Sequence, residues 1–184
     1  MLKKIITPRL IYIAGIILAA ALFRLVPHWP NFTPVAAIAL FGGACLNKKY
    51  LAFLIPLAAL FISDLFLGFH GMMSWVYVGF MITAGIGLLL KRNVTPFNVA
   101  GASLLSSVLF FIVTNFGAWL ASPIYPDTFA GLIQCYVAGL AFFSDGGYGI
   151  SFFMNEIMGS LFYNTVLFGS LYLASKRFPV LARV

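Results

Sequence analysis

Two carboxylic acids lie inside long apolar segments of this sequence, and they are the side chains best able to do chemistry there. Asp64 lies within the apolar stretch 51–69, and Glu156 lies near the start of the stretch 151–175. An ionisable side chain in such a segment is costly and usually serves a function. We expect both carboxyl groups to contact a ligand. They could act as an acid–base pair only if both reach the same substrate atom.

His70 follows Asp64 at the end of the same apolar stretch, beside Met72 and Met73. A neutral imidazole is a good ligand for a transition metal. An alternative interpretation makes His70 an ordinary residue at the membrane surface. Structural alternatives also exist for the two acids. Asp64 could pair with a buried donor, and Glu156 could be a first-turn residue favoured by the helix dipole.

Uncharged polar residues and tryptophans map to the same side of the predicted membrane. Asn115 and Trp119 are four residues apart and therefore share one side of a helix. Trp29 and Trp75 could instead belong to an interfacial aromatic belt. Taken together, these residues predict an outward-facing pocket with aromatic walls and a few fixed polar groups. The predicted ligand-binding residues are Asn31, Thr33, Asp64, His70, Asn115, Trp119, Asn155 and Glu156.

The composition decides which elements must position these residues. Of the 184 residues, 62% are hydrophobic and only 8% are charged, whereas a soluble domain carries roughly 25% charged residues. The chain therefore needs lipid as its solvent, and in lipid a helical chain satisfies its own backbone. We predict one all-α transmembrane domain over residues 1–184. Its six transmembrane helices are predicted at 10–26, 34–47, 51–69, 75–90, 98–121 and 151–175.

The basic residues predict the orientation of these spans. Cytoplasmic loops of membrane proteins are enriched in Lys and Arg. Six spans with both termini in the cytoplasm place all the basic residues inside except Arg24. The inside set is Lys3, Lys4, Arg9, Lys48, Lys49, Lys91, Arg92, Lys176, Arg177 and Arg183. A seventh span at 129–143 would break this pattern, so that segment is predicted to be an outer-face or re-entrant helix. The expected location is the cytoplasmic membrane of a bacterium.

Several function classes are disfavoured by what the spans contain. The net charge of +7 comes from short basic pairs between apolar runs, which is not the pattern of nucleic-acid binding. Cys45 and Cys135 lack zinc-site spacing, and we expect no intrinsic cofactor. No HExxH, GxSxG or P-loop motif is present, so we expect no enzyme activity. The inner halves of the spans carry only small hydroxyls, which helix backbones can satisfy, and this disfavours a channel.

Several short motifs resemble an uncharacterised family of small bacterial membrane proteins. The matching residues are Phe32-Thr33-Pro34-Val35-Ala36-Ala37-Ile38-Ala39-Leu40-Phe41-Gly42-Gly43, Ser63-Asp64 with Gly68-Phe69-His70, Thr114-Asn115-Phe116-Gly117 with Trp119, and Gly131-Leu132 with Cys135-Tyr136. The size, the six spans and the polar outer side also resemble the substrate-binding S component of energy-coupling-factor vitamin transporters.

The resemblance to S components implies capture of a vitamin at the outer face. It also implies docking on a coupling transmembrane subunit driven by two ATPases, through small residues of the first span such as Gly15 and Ala19. One branch transports cobalamin, with a cysteine after the third span as a cobalt ligand. His70 lies at the equivalent place here, so cobalamin is the favoured ligand and His70 its possible cobalt ligand. The alternative function is a non-transport assembly or structural subunit.

Overall fold

The computed structural model describes residues 6–69, 71–141 and 151–182, and these residues form an all-α bundle without β-strands. Five of its helices are long and apolar enough to cross a membrane. The helices are α1 Pro8–Leu22, α2 Val35–Cys45, α3 Lys49–Leu67, α4 Met73–Leu90, α5 Pro96–Ala121, α6 Phe129–Ala141 and α7 Phe152–Arg177, with short 3₁₀ helices at Phe23–Leu25 and Pro179–Leu181. The predicted all-α membrane bundle is confirmed.

Three of the long helices begin at a hydroxyl residue that caps the first turn. The side chains of Thr7, Thr95 and Ser151 accept hydrogen bonds from backbone N–H groups at the starts of α1, α5 and α7. Proline follows the cap in α1 and α5, where its missing N–H costs nothing. The helix starts are therefore set by local sequence, while the helix packing depends on contacts across the bundle.

Side-chain contacts sort the helix ends onto two faces of the bundle. On one face, Nζ of Lys91 donates to the carbonyl oxygens of Leu46 and Asn47 at 2.6 and 2.9 Å, and the Arg9 guanidinium donates to the Leu181 carbonyl. We call this the basic face, because it carries Arg9, Lys48, Lys49, Lys91, Arg92, Lys176 and Arg177. We call the other end of the bundle, which contains the end of α3 and the start of α4, the opposite face. The charge asymmetry expected from the sequence is thus present in the fold.

Helix α2 forms the centre of the bundle, and all of its eleven residues are buried. A Cβ atom on Gly43 would lie 2.3 Å from the Ala84 carbonyl oxygen, and one on Gly87 would lie 2.3 Å from the Leu40 carbonyl oxygen. Helices α2 and α4 therefore touch backbone to backbone, as small residues permit. The predicted span 34–47 is thus a short helix, since its eleven residues rise only about 17 Å, against roughly 30 Å for the hydrocarbon core of a bilayer.

Helix α6 corresponds to the predicted outer helix 129–143, and it packs along the part of α5 nearest the opposite face. The Tyr136 hydroxyl donates to the Ile112 carbonyl at 2.8 Å, and the Cys135 thiol lies 3.4 Å from the Asn115 carbonyl. A Cβ on Gly139 would meet the Asn115 side chain at 2.4 Å. From Phe129 onward, α6 therefore runs alongside α5, away from the C-terminal end of α5.

The outer surface of the bundle is strongly apolar. Large side chains such as Phe66, Phe97 and Leu173 are 71%, 86% and 66% exposed. Contiguous exposed apolar surface on this scale is unstable in water and suits contact with lipid or with another protein. The fold therefore agrees with a membrane environment.

Candidate functional site

Asp64 lies at the opposite face in a buried ion pair with Arg24. Nη1 of Arg24 lies 2.6 Å from Oδ1 of Asp64, and the Tyr77 hydroxyl donates to Oδ2 at 2.8 Å. The same Arg24 nitrogen donates to the Ser63 hydroxyl, which in turn donates to the Leu60 carbonyl at 2.7 Å. Both carboxylate oxygens therefore have donors. The group joins the 3₁₀ helix after α1 to α3 and α4, which supports the structural alternative for Asp64.

The sequence alone indicates no role for Arg24. It is the single basic residue on the predicted outer side. An acid in a nearby span was the available signal, since a charge inside a membrane protein usually pairs. The forty residues between Arg24 and Asp64 hide the pairing, because nothing local in the sequence determines which helix ends meet.

The α1–α2 loop, residues 26–34, folds onto α7 and brings together three predicted site residues. Nδ2 of Asn155 donates to the Pro30 carbonyl at 2.9 Å. Asn31 has a φ of +62°, in the left-handed region that asparagine tolerates better than most residues. The Thr33 amide donates to the Asn31 carbonyl at 2.9 Å, which closes the turn. Asn31, Thr33 and Asn155 thus belong to one structure, and their contacts shape the loop.

The same loop packs tightly against the next turns of α7. A Cβ atom on Gly159 would lie 3.1 Å from both Cα of Phe32 and the amide nitrogen of Thr33. The Phe32 ring lies 5.7 Å from the Phe162 ring and 5.8 Å from the Tyr163 ring, measured between centroids. Phe32 therefore contacts α7 from the level of Gly159 to that of Tyr163.

Asn115 and Trp119 share one side of α5, as predicted, and that side faces α6 and the segment before it. Nε1 of Trp119 donates to the Pro126 carbonyl at 2.9 Å. Nδ2 of Asn115 donates to the Phe111 carbonyl of its own helix at 2.9 Å. Both side chains are half-buried. The Trp119 bond therefore ties α5 to the segment before α6, whereas the Asn115 side-chain bond stays within α5.

Glu156 lies between α5 and α7, in a row of buried polar residues. Glu156 is buried, with only 6% of its surface exposed. Its Oε1 atom has no hydrogen-bond partner among the described residues. The Ser107 hydroxyl lies beside the carboxyl but falls short of a well-formed hydrogen bond. We call this row the α5–α7 polar seam. It comprises Ser103, Ser107, Glu156, Ser160 and Asn164.

The seam extends further toward the basic face than the sequence indicated. Nδ2 of Asn164 donates to the hydroxyls of Ser103 at 2.9 Å and Ser160 at 3.4 Å. Ser103 donates to the Val99 carbonyl, as expected for a serine satisfied by its helix. That expectation is wrong for Ser106 and Ser107, whose hydroxyls have no partner in the described part of the chain. The half of the bundle nearer the basic face is therefore not uniformly apolar.

The other predicted site residues stand apart from this seam. Gly15 and Ala19 are exposed on α1, and open space surrounds the position of a Gly15 side chain. His70 lies outside the described residues, so its role as a cobalt ligand stays a prediction. Among the residues described, no three His, Cys, Asp or Glu side chains cluster as a metal site would require.

A cavity of about 90 Å³ opens at the basic face, and the predicted ligand-binding residues do not line it. It lies where the start of α1 meets the end of α2 and the start of α3. Its lining residues are Thr7, Arg9, Leu10, Ile13, Cys45, Leu46, Asn47, Lys48 and Leu51.

Comparison with known proteins gives a family for this fold. No curated protein and no solved structure matches the chain. A family model described as a family of unknown function, DUF6580, matches residues 4–181. Because this match spans nearly all of the 184 residues, the chain belongs to the DUF6580 family.

Proposed function

We propose that this protein is a solute-binding membrane component for uptake of a vitamin-like small molecule, with cobalamin as the first solute to test. The observation that carries the proposal is the position of the α5–α7 polar seam beside the α1–α2 loop. On α7, Glu156 and Ser160 follow Asn155 and Gly159 by one residue each. Adjacent residues on a helix lie about 100° apart around its axis, so the seam and the loop contacts occupy neighbouring sides of α7.

This arrangement suggests how a solute could reach buried polar groups. The loop is held to α7 by one side-chain hydrogen bond from Asn155 and by aromatic contacts of Phe32. Lifting the loop would expose the side of α7 next to Glu156. A solute entering from the opposite face would then find unpaired hydroxyl and carboxyl oxygens beside aromatic rings, the combination found in small-molecule sites.

The direction and the energy source are parts of the same proposal. We place the basic face in the cytoplasm of a bacterium, because basic residues favour that side, and the solute therefore enters from outside. The chain carries no nucleotide-binding motif. By its resemblance to S components, a coupling transmembrane subunit with two ATPases would supply the energy. The exposed Gly15 and Ala19 of α1 offer a surface where another helix could approach closely.

Binding by the full-length protein tests this proposal. The protein would be purified in detergent and titrated by calorimetry with cobalamin and the other water-soluble vitamins. We expect saturable binding of one of them. If it is cobalamin, His70→Ala should shift the visible absorbance of the bound ligand, and His28→Ala, at the only other histidine, should leave it unchanged. Absence of binding across the panel by folded protein would overturn the proposal.

A second candidate is a non-transport assembly or structural subunit, and a specific observation favours it. Asp64 and Trp119 use their side-chain polar atoms to join separate helices or loops, and the Asn115 side chain bonds within its own helix. They therefore contribute to the stability of the bundle in the described state. Co-purification distinguishes the two functions: Gly15→Leu with Ala19→Leu should release a coupling subunit under the first. Stable recovery with a complex unrelated to transport would support the second.

A further inference from the structure

The α5–α7 polar seam contains more buried oxygen atoms than the described side chains can pair. Three of its residues carry such an oxygen, and each of these residues is at least 94% buried. An unpaired polar atom in a protein interior is costly, and an unpaired carboxylate is more so. The unpaired atoms are Oγ of Ser107, Oε1 of Glu156 and Oδ1 of Asn164.

The positions of these atoms follow the helix repeat. Glu156, Ser160 and Asn164 are spaced by four residues and so form one stripe on α7. Ser103 and Ser107 form the matching stripe on α5, and the Asn164–Ser103 hydrogen bond aligns the two helices. Glu156 and Ser107 lie on the side of this bond nearer the opposite face, where the Phe111 and Phe153 rings also pack, 4.7 Å apart.

No positive charge among the described residues faces the Glu156 carboxyl. Helix α5 contains no ionisable side chain. On α6, the Cys135 thiol and the Tyr136 hydroxyl bond to carbonyls of α5. In the α1–α2 loop, Nδ1 of His28 contacts the Val26 carbonyl. On α7 itself, Tyr163 packs on Phe32. Arg24 is paired with Asp64, and the remaining cations described lie at the basic face.

We propose that the Glu156 carboxyl and the neighbouring hydroxyl of Ser107 form a binding site for one small cation, either a proton or a sodium ion. Carboxylate and hydroxyl oxygens are hard ligands, and a bound cation neutralises a charge that the bilayer interior would otherwise penalise. A proton on the carboxyl allows it to donate to Ser107. A sodium ion contacts the carboxylate and hydroxyl oxygens directly. In either case the site gives this bundle a dependence on cations that requires no solute.

Thermal unfolding of the full-length protein in detergent, without any solute, tests the site. The unfolding temperature is measured against Na⁺, with choline replacing it at constant ionic strength, and against pH in choline. We expect wild-type protein to respond to Na⁺ or, if the ligand is a proton, to pH alone. Glu156→Gln removes the ionisable oxygen with little change in shape and should abolish the Na⁺ response or, if the ligand is a proton, reduce the pH response. Thr114→Val removes a hydroxyl bonded to its own helix at 2.8 Å and should retain it.

A wild-type measurement keeps the test informative if Glu156→Gln fails to fold. Infrared difference spectra between Na⁺ and choline, and between two pH values, report whether a buried carboxyl changes its environment or its protonation. A carboxyl signal that Ser107→Ala shifts supports the site. Wild-type protein without any carboxyl signal or thermal response, or a thermal response that Glu156→Gln retains in full, overturns it. Because no solute is present, failure of vitamin binding leaves this result unaffected.

Discussion

Nδ2 of Asn155 lies 2.9 Å from the carbonyl oxygen of Pro30, and this hydrogen bond joins residues that are 125 positions apart in the chain. It holds the α1–α2 loop against α7 at the level where the buried polar seam begins. One turn further along α7, Gly159 allows the loop backbone to approach closely, and Phe32 packs beyond it. The loop and the seam together form the proposed route for a solute.

Gly159 is predicted to control the position of the loop. Gly159→Ala places a Cβ atom 3.1 Å from Phe32 and Thr33 backbone atoms, so the loop must shift. Hydrogen exchange at the Phe32 and Thr33 amides should increase, because the shift would weaken their hydrogen bonds to the Trp29 and Asn31 carbonyls. Gly169→Ala is the matched control, since open space surrounds that position on the same helix. Equal exchange in both variants would contradict the prediction.

The Arg24–Asp64 pair is predicted to stabilise the opposite face of the bundle. Arg24→Ala leaves a buried carboxylate without its cation, which typically costs about 3–5 kcal/mol. Arg24→Met combined with Asp64→Leu removes both charges and should recover most of the loss. Thermal unfolding in detergent measures both effects. A single variant as stable as the wild type would show that the pair is not formed as described.

Tyr77 offers a smaller and separate perturbation of the same carboxylate. Tyr77→Phe removes one donor to Oδ2 and retains the ring. Loss of a hydrogen bond to a charged group costs about 1.5–3 kcal/mol, so the destabilisation should be smaller than that of Arg24→Ala. The same unfolding measurement applies. A larger loss than that of Arg24→Ala would mean that the hydroxyl, rather than the guanidinium, is the main partner of Asp64.

Hydropathy and loop charge were sufficient to predict the all-α bundle and the basic face, because these depend on composition along single segments. The four-residue spacing of Asn115 and Trp119 was likewise readable, since helix geometry determines it. The hydrogen-bond partners of the polar residues could not be predicted from the sequence. Asp64 pairs with Arg24 and Asn155 bonds to Pro30 because of how distant segments pack. Asn164 was overlooked because it lies deep in a span that the sequence pattern suggested was apolar.

The proposed orientation of the bundle rests on its charge distribution and is testable in intact cells. A single cysteine is introduced at each of two exposed positions: Asn93→Cys at the basic face and Asp127→Cys before α6. The native Cys45 and Cys135 are buried and provide a low background. A membrane-impermeant thiol reagent should label Asp127→Cys only, and Asn93→Cys should react after the cells are opened. The reverse pattern would invert the proposed topology and place the α1–α2 loop in the cytoplasm.

The proposed solute binds beneath the α1–α2 loop, beside the α5–α7 polar seam. The decisive measurement is an experimental structure of the full-length protein with the bound vitamin identified by calorimetry. We expect ligand density next to Glu156 and Ser107, with the Phe32 ring moved away from Phe162 and Tyr163. Density confined to the cavity at the basic face, with the loop still packed on Gly159, would contradict it.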